Sequence, residues 1–255
     1  MQTNYVTYDF DKSRSRIDEI LDESDKSFEE LNYIPSRDKL TYKNGFYVNC
    51  TALFVDIRDS STLPSKHKRP ALAKIYRTYI SEVVAIINGN SHCKEIEIDG
   101  DCISGIYNTP SKSDIDSVFA DAARINSLIK VLNCKYEKRG IEKIDIGIGI
   151  DYGRALMIKA GYNGSGLNKV VWMGEVVNGS SNLCNKANKG WDSKVLFVSS
   201  VIYNNLNEHN KDLLSWNQAN SCYHGNIVNL DMDEWYTNNC TNQNNSMQGL
   251  GFSQW

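Results

Sequence analysis

The chain has 255 residues, of which 41% are hydrophobic and 23% are charged. This balance is ordinary for a globular protein and fits one large domain with terminal extensions. The net charge of −3 gives no electrostatic reason to expect binding to nucleic acid or to a membrane surface. We therefore predict that neither nucleic acid nor a membrane is a partner of this protein.

The first residues and the cysteines indicate a cytoplasmic protein. Residues 1–5 lack the basic region and the apolar region of a secretory signal. No apolar run approaches the roughly 18 residues that a membrane-spanning helix needs. The seven cysteines are scattered singly, which favours reduced thiols over a disulfide framework.

Composition and periodicity divide the chain into three parts. Residues 1–45 are polar, and apolar residues recur at helical spacing between 13 and 31, which predicts an N-terminal helical extension of one or two helices. Residues 46–230 form the predicted core domain. Residues 231–255 are rich in Asn, Gln and Gly, and we expect a polar, partly disordered tail there.

Two acidic corners stand out at the ends of predicted strands. The buried strand 51–55 ends at Asp56, and a hairpin predicted around Asp99-Gly100 places Asp101 beside its tip. Two carboxylates at strand ends suit magnesium or manganese, whose coordination substrate phosphates often complete. The alternative is that Asp56 caps the next turn and that Asp99-Gly100 only forms the hairpin.

A small polar turn follows the first acidic corner. Asp59, Ser60 and Ser61 precede a helix with an apolar stripe from Ala71 to Ile87, and backbone N–H groups in such a turn hold phosphate oxygens well. We therefore count these three residues among the candidates for binding substrate.

The remaining elements predict the fold class. After the hairpin come a long helix over 112–139, an alternating strand over 144–150 and, after a glycine-rich loop, a helix that begins after Gly174. A short strand over 195–198, a short helix and a last strand over 223–230 complete the domain. The order predicts an α+β fold with a ferredoxin-like β-α-β-β-α-β core, in which helices pack on a mainly antiparallel sheet.

Four motifs in this order resemble the catalytic domain of class III nucleotidyl cyclases. They are Phe54-Val55-Asp56-Ile57, Gly100-Asp101, Gly149-Ile150-Asp151-Tyr152-Gly153 and Gly174-Glu175-Val176-Val177-Asn178. The resemblance covers residues 46–205. It implies the ferredoxin-like cyclase fold for the core domain.

The resemblance also implies a mechanism. Asp56, Asp101 and the carbonyl of Ile57 would hold two divalent ions, Mn²⁺ or Mg²⁺, that assist attack of the ribose 3′-oxygen on the α-phosphate. In this family two domains meet head to tail and share their sites, so a homodimer with two composite sites is implied. Asn178 would then orient the ribose across the interface.

This sequence departs from the family at the cation that stabilises the transition state. Purine cyclases carry an arginine four residues after the motif asparagine, and that position here is Asn182. A cation is still needed, because uncompensated charge on a triphosphate is costly. The candidates are Arg58, Arg154, Lys186 and Lys189.

The positions that select the base also depart from the purine cyclases. Glu97 and Val171 stand where adenylate cyclases carry a lysine and an aspartate. The stretches 75–84, 151–161 and Val170-Val171-Trp172-Met173-Gly174 resemble the bacterial Pycsar pyrimidine cyclases instead. Glu97, Val171 and Trp172 are therefore candidates for contacting the base, although a carboxylate at 97 is compatible with both uracil and cytosine.

The Pycsar resemblance implies a pyrimidine cyclase that acts in antiphage defence. Conversion of UTP to cyclic UMP and pyrophosphate is the preferred prediction, and formation of cyclic CMP from CTP is the alternative. The cyclic nucleotide would activate a separate effector protein. A third possibility is a cyclase-like nucleotide sensor that has lost catalysis.

Overall fold

The computed structural model describes residues 2–66, 69–190 and 192–241. One sheet runs through the molecule and helices cover its faces. The strands are β1 (Phe28–Leu31), β2 (Gly45–Ile57), β3 (Cys93–Asp99), β4 (Cys102–Tyr107), β5 (Ile146–Tyr162), β6 (Leu167–Met173), β7 (Leu196–Val198), β8 (Ser215–Asn217) and β9 (Cys222–Gly225). The helices are α1 (Phe10–Leu21), α2 (Leu63–Lys66), α3 (Arg69–Asn88), α4 (Lys112–Glu137), α5 (Glu175–Lys186), α6 (Ser200–Asn205), α7 (Glu208–Asp212) and α8 (Leu230–Tyr236).

The long antiparallel pair of β2 and β5 forms the centre of the sheet. Its register runs from Gly45 opposite Ile158 to Ile57 opposite Ile146. The strand order is β3-β4-β2-β5-β7-β9-β8, and β1 and β6 extend the sheet beside β2 and β5. Only the β1–β2 and β5–β7 pairs are parallel among the described strands. The sheet is therefore mainly antiparallel.

Each face of the sheet carries its own apolar core. Helices α3 and α4 cover one face, where Tyr79 and Ile125 pack with Leu53 and Val55. On the other face Trp172 and Val176, from β6 and α5, pack with alternate residues of β2. Neighbouring residues of a strand point to opposite faces, so β2 is apolar on both sides and lies at the centre of the molecule.

The predicted fold class is confirmed. The segments β2, α3, β3, β4, α4 and β5 give the β-α-β-β-α-β order of a ferredoxin-like core. The sheet is mixed but mostly antiparallel, with helices packed on it.

The N-terminal extension differs from the prediction of helices alone. Helix α1 is present, but none of its described residues is buried. Residues 28–31, read as part of a helix, instead form β1, which pairs with residues 45–48 of β2. The sequence Phe28-Glu29-Glu30-Leu31 is too short for its periodicity to separate a strand from a helix.

The C-terminal segment also corrects two expectations. Residues 230–241 are helical, in α8 and a short π-helical turn over Thr237–Thr241, where we predicted the start of a disordered tail. Cys240 forms a disulfide with Cys134 of α4, so the expectation that the cysteines are unpaired is wrong for these two. Residues 242–255 of the predicted tail lie outside the described residues.

Across the three described ranges, no helix is both long enough and apolar enough to cross a membrane.

Candidate active site

The two predicted acidic residues lie next to each other in the structure. Asp56 is close to the end of β2, and Asp101 is in the turn between β3 and β4, the strand that pairs with β2. Burial and the charge of Asp101 raise the pKa of Asp56 above its ordinary value of 3.8, while the charge of Arg58 opposes the shift. The fold thus forces two repelling carboxylates into one corner, which we call the acidic corner.

Arg58 holds the acidic corner against helix α5. Its Nη2 atom donates hydrogen bonds to Oδ2 of Asp56 at 3.0 Å and to the Asp56 carbonyl at 3.1 Å. Its Nη1 atom donates to the carbonyl of Asn185 at 3.2 Å. The Arg58 side chain is only 6% exposed. Both terminal nitrogens of the guanidinium thus donate inside the protomer, while its buried Nε has no partner among the described residues.

The acidic corner fits a divalent cation. Oδ2 of Asp101 is buried and has no hydrogen-bond partner among the described residues, although a buried carboxylate oxygen normally requires one. Hard oxygen ligands of this kind suit Mg²⁺ and Mn²⁺. Within the described part of the chain no group of three or more acidic, His or Cys side chains forms a metal site, so a cation here would need further ligands such as substrate phosphates.

The polar turn predicted to face phosphate lies directly beside the acidic corner. Asp59 has a left-handed backbone conformation with φ of 52°, and it precedes the 3₁₀ turn Ser60–Thr62. The side chains of Asp59 and Ser61 are exposed and that of Ser60 is half-buried. The structure thus brings Asp59, Ser60 and Ser61 together with Asp56, Ile57, Arg58 and Asp101.

Helix α5 presents Asn178 to solvent. The helix begins after Gly174, whose φ of 138° and contact with the Arg154 carbonyl leave no room for a Cβ atom. The Ser180 hydroxyl donates to the Ala52 carbonyl of β2 at 2.9 Å and anchors the helix to the sheet. Asn178 is exposed on the outer side. It precedes Asn185, which contacts Arg58, by about 10 Å of helical rise.

Arg154 lies far from the acidic corner of its own protomer. It is opposite Asn49 on β2, whereas Asp56 is opposite Gly147, a separation of roughly 20 Å along the strand. Its guanidinium stacks 3.9 Å from the centre of the Tyr47 ring and donates from Nε to Glu30 at 3.0 Å. Arg154 is thus near the start of α5, on the side of Asn178.

The other two candidate cations lie at the opposite end of α5. Lys186 and Lys189 are both exposed. The positive charge of Lys189 lowers the pKa of Asp56, so its ammonium group is near the acidic corner.

Two of the three predicted base-contacting residues share one cavity. Glu97 and Trp172 line a cavity of about 30 Å³ together with Phe54, Glu95, Ser104, Ile106 and Val177. We call it the inner cavity. Val171 lies beside Trp172 on β6 but does not line the inner cavity. Trp172 and Glu97 are the two predicted residues that do.

Three charged residues around the inner cavity were missed by the sequence analysis. Lys169 of β6 forms an ion pair with Glu97, and Arg37 forms one with Glu95. Both cations also line a larger cavity of about 460 Å³ that Glu95 and Glu97 share. Because strand side chains alternate, Lys169 lies on the same side of β6 as Val171, a predicted base contact. This pattern could have indicated Lys169 as a candidate. Nothing in the sequence connects Arg37 to residue 95.

Comparisons with known proteins agree with this geometry. Residues 43–230 match the family model described as adenylate and guanylate cyclase catalytic domain. A uridylate cyclase of Gulbenkiania mobilis is 39% identical over 94% of this chain and all of its own length. A uridylate cyclase of Treponema porcinum is 38% identical over 91% of this chain and 77% of its own length.

A solved structure shows the same fold. The crystal structure of the adenylyl cyclase CyaB from P. aeruginosa superposes with a TM-score of 0.57, covering 68% of this chain and 85% of that chain at 21% identity. The resemblance to class III nucleotidyl cyclases is confirmed, and this chain belongs to the adenylate and guanylate cyclase catalytic domain family.

Proposed function

We propose that this protein converts UTP to 3′,5′-cyclic UMP and pyrophosphate. The observation that carries the proposal is the acidic corner, in which Asp56 and Asp101 repel each other and one buried oxygen of Asp101 has no partner within the described part of the chain. Without a bound cation, such an arrangement lowers the stability of the folded protein. It suits a cation that arrives together with a triphosphate.

The likeness to two uridylate cyclases supports uracil as the base. Both relatives are 38–39% identical over more than nine-tenths of this chain. The matched region includes the strands that carry Glu97 and Trp172. We therefore prefer UTP to CTP as the substrate.

In the proposed reaction the ribose 3′-oxygen attacks the α-phosphorus and its proton leaves to solvent. The new ester bond closes the ring as the bond from the α-phosphorus to the bridging oxygen breaks, and pyrophosphate departs with that electron pair. Asp56, Asp101 and the carbonyl of Ile57 would hold two divalent ions. When bound, such ions increase the acidity of the attacking hydroxyl and neutralise developing charge.

The protein's own groups position these reactants. Arg58 fixes the rotamer of Asp56 through its bonds to the Asp56 carboxylate and to α5. Asp59, Ser60 and Ser61 lie where the outer phosphates would rest. Glu97 and Trp172 would contact the base, and Val171 supports Trp172 from the adjacent position of β6.

We propose a homodimer in which each site combines two protomers. Arg154 lies roughly 20 Å along the strands from the acidic corner of its own chain, and Asn178 lies about 10 Å of helical rise from the α5 residue that contacts Arg58. A head-to-tail partner would supply both residues. Asn178 would orient the ribose, and Arg154 would provide the cation that the sequence lacks at position 182.

We further propose that cyclic UMP is a signal in antiphage defence that activates a separate effector protein. The support is the resemblance of several stretches to the Pycsar cyclases. Phage infection of bacteria that express the chain with its neighbouring genes should be restricted, and an Asp101→Asn variant should restore phage growth.

The direct test is to incubate the purified protein with Mn²⁺ and each of ATP, GTP, CTP and UTP separately, and to identify products by mass spectrometry. We expect cyclic UMP from UTP alone at low substrate concentration. The near-isosteric Asp101→Asn variant is the control and should give no product. Predominant cyclic CMP would reject UTP as the substrate, and no cyclic product from any nucleotide would reject the proposed activity.

A further inference from the structure

Helix α5 contains a glycine, Gly179, in its interior, where glycine is unfavourable. Gly179 is the fifth residue of a helix that runs from Glu175 to Lys186, and alanine at this place would be a better helix former. The backbone of Gly179 is helical, so no turn requires a glycine there. The reason for the glycine therefore lies in the group that packs against it.

The group that packs against Gly179 is the carboxylate of Asp151 on β5. A Cβ atom on Gly179 would lie 2.1 Å from Oδ2 of Asp151 and 3.2 Å from its Cγ atom, so the carboxylate occupies the space that a side chain would need. The other oxygen, Oδ1, accepts a hydrogen bond from the Tyr152 N–H at 2.8 Å. The carboxylate is therefore held with one oxygen on its own strand and the other against α5.

A second contact fixes the next residue of the helix to the neighbouring strand. The Ser180 hydroxyl donates to the Ala52 carbonyl of β2, and Ala52 lies opposite Asp151 in the register of β2 and β5. Two consecutive residues of α5 thus rest on one pair of opposed residues in the sheet. Asn178 immediately precedes them and is exposed, so these two contacts set its position relative to the sheet.

Stability alone does not account for a carboxylate at this place. Burial raises the pKa of Asp151, although hydrogen bonds from Ser199 and from the Tyr152 N–H act in the opposite direction. The charge of Glu175 adds to the rise of this pKa. The ionised side chain is thus less favourable in the folded protein than in the unfolded chain, which is typical of residues that are kept for function.

We infer that Asp151 is a positioning residue, whose side chain sets the distance between β5 and α5 at Gly179 and thereby the place of Asn178. The inference rests on the proposed function, in which Asn178 orients the ribose across the dimer interface, and it adds the group that holds Asn178 there. Misplacement of a reacting group by about 1 Å can reduce the rate roughly 100-fold. A contact one residue away from Asn178 therefore has a measurable effect on turnover.

The first test measures kcat and KM for UTP in single variants of the contact. Gly179→Ala should lower kcat by about tenfold or more, because either the carboxylate or the helix has to move aside. Asp151→Ala, which removes the spacer, should lower kcat by roughly three- to tenfold. In both variants KM should change by less than about threefold, because the acidic corner that would hold the triphosphate keeps its residues.

The combined variant should restore turnover. When Asp151→Ala and Gly179→Ala are present together, the new methyl group takes the space that the carboxylate leaves, and kcat should return to within about threefold of the wild type. Asp151→Asn should also stay within about threefold, because the amide has nearly the same size and its oxygen can still accept from the Tyr152 N–H. Gly153→Ala is the matched control, since a Cβ atom there meets only a Val176 side-chain carbon at 3.6 Å, and it should change neither constant.

A second test determines which half of the composite site the substitution damages. Gly179→Ala mixed with Asp56→Ala should give more activity than the two proteins give separately, because each heterodimer keeps one site with an intact acidic corner and a correctly placed Asn178. Gly179→Ala mixed with Asn178→Ala should give no such gain, since both substitutions affect the same half. The reverse pattern would place the defect at the acidic corner, where α5 contacts Arg58, and would overturn the inference.

The inference and the proposed function fail in different ways. Wild-type kcat in Gly179→Ala, or a combined variant no more active than Gly179→Ala, would overturn the inference and leave the proposed function standing. A loss of kcat in Asp151→Asn as large as in Asp151→Ala would also overturn it, since size would then not be what matters. Absence of any cyclic product from the wild-type protein would instead remove the proposed function, and this inference with it.

Discussion

At the scale of residues, two tyrosines of the helix-covered core show how differently a buried hydroxyl can be used. Tyr136 shares a hydrogen bond with the Thr78 hydroxyl at 2.5 Å and donates to the Ile75 carbonyl at 3.3 Å. Tyr79 is fully buried, and its hydroxyl has no partner in the described part of the chain. The same substitution should therefore have opposite effects at the two positions.

Tyr79→Phe should raise the melting temperature, because it removes an unpaired buried hydroxyl whose burial costs about 1 kcal/mol or more. Tyr136→Phe should lower it, because the Ile75 carbonyl and Thr78 lose a partner. For a chain of this size each kcal/mol corresponds to roughly 2–4 °C. Differential scanning calorimetry of both variants checks the sign, and a decrease for both would show that the Tyr79 hydroxyl is satisfied in solution.

The raised pKa of Asp56 predicts how pH affects the metal-free protein. Burial and the Asp101 charge make the folded state hold the Asp56 proton more tightly than the unfolded chain. The free energy of unfolding should therefore decrease as the pH rises from near 4 through the raised pKa. A divalent ion needs the ionised carboxylate, so stabilisation by Mn²⁺ should grow over the same window.

Melting curves at several pH values, with and without Mn²⁺, test this dependence. Asp56→Asn is the control, since it cannot ionise at that position. Its metal-free stability should vary less with pH in this window, and Mn²⁺ should give it little stabilisation. Equal stabilisation of both proteins by Mn²⁺ would place the cation elsewhere.

At the scale of elements, helix α5 lies so close to the sheet that it touches the backbone of β5. A Cβ atom on Gly149 would come within 2.2 Å of the Cys184 nitrogen and the Ser180 carbonyl. A Cβ atom on Gly153, four residues along the same strand, would meet only a Val176 side-chain carbon at 3.6 Å. The absence of a Cβ atom is therefore essential at Gly149, where α5 packs on the strand, and dispensable at Gly153.

Gly149→Ala should push α5 off the sheet and lower the melting temperature by about 5 °C or more, the effect of overpacking by roughly 2 kcal/mol. It should also reduce turnover, because α5 carries Asn178 and contacts Arg58. Gly153→Ala should be close to the wild type in both measurements. Similar behaviour of the two variants would contradict the close contact at Gly149.

Much of this arrangement could be predicted from the sequence, and the failures have physical reasons. The alternating stretch 144–150 predicted the start of β5, and the long periodic stretch from 112 predicted the end of α4 to within two residues of Glu137. β1 has too few residues to show a period, and its pairing with β2 is a tertiary effect. The Cys134–Cys240 bond and the Arg37–Glu95 and Lys169–Glu97 pairs join residues distant in sequence, which no local pattern reveals.

The sequence predicted which residues form the acidic corner better than it predicted the side chains that pack around them. Asp56, Ile57, Asp101 and the turn 59–61 come together because strand ends that pair must meet. Arg58 is buried against α5 and bonded to Asp56, and Trp172 lines the inner cavity with Glu97 whereas Val171 does not. Both observations depend on side-chain packing, which the sequence does not show.

At the scale of the whole molecule, the separation of Asn178 from the acidic corner predicts complementation between inactive variants. Asp56→Ala and Asn178→Ala should each be inactive or nearly so as pure proteins. After mixing and subunit exchange, each heterodimer would contain one site with both residues intact, and up to about a quarter of the wild-type activity should return, since half of the dimers then carry one of two sites.

The control mixture combines Asp56→Ala with Asp101→Ala, which damage the same half of the site and should not complement. Analytical ultracentrifugation of each variant checks that dimers persist. If neither mixture regains activity although a labelled subunit confirms subunit exchange, the result contradicts the shared site.

The central pair of strands also has a consequence for synthesis of the chain on the ribosome. One edge of β2 can pair with β4 once residue 107 is made, but the other edge pairs with β5, whose residues 146–158 emerge much later. At ordinary elongation rates of 5–20 residues per second, the delay between residue 107 and residues 146–158 is on the order of 2–10 seconds. During it the apolar segment 45–57 exposes unpaired backbone on a nascent chain, so this strand is where a newly made molecule most needs protection from aggregation.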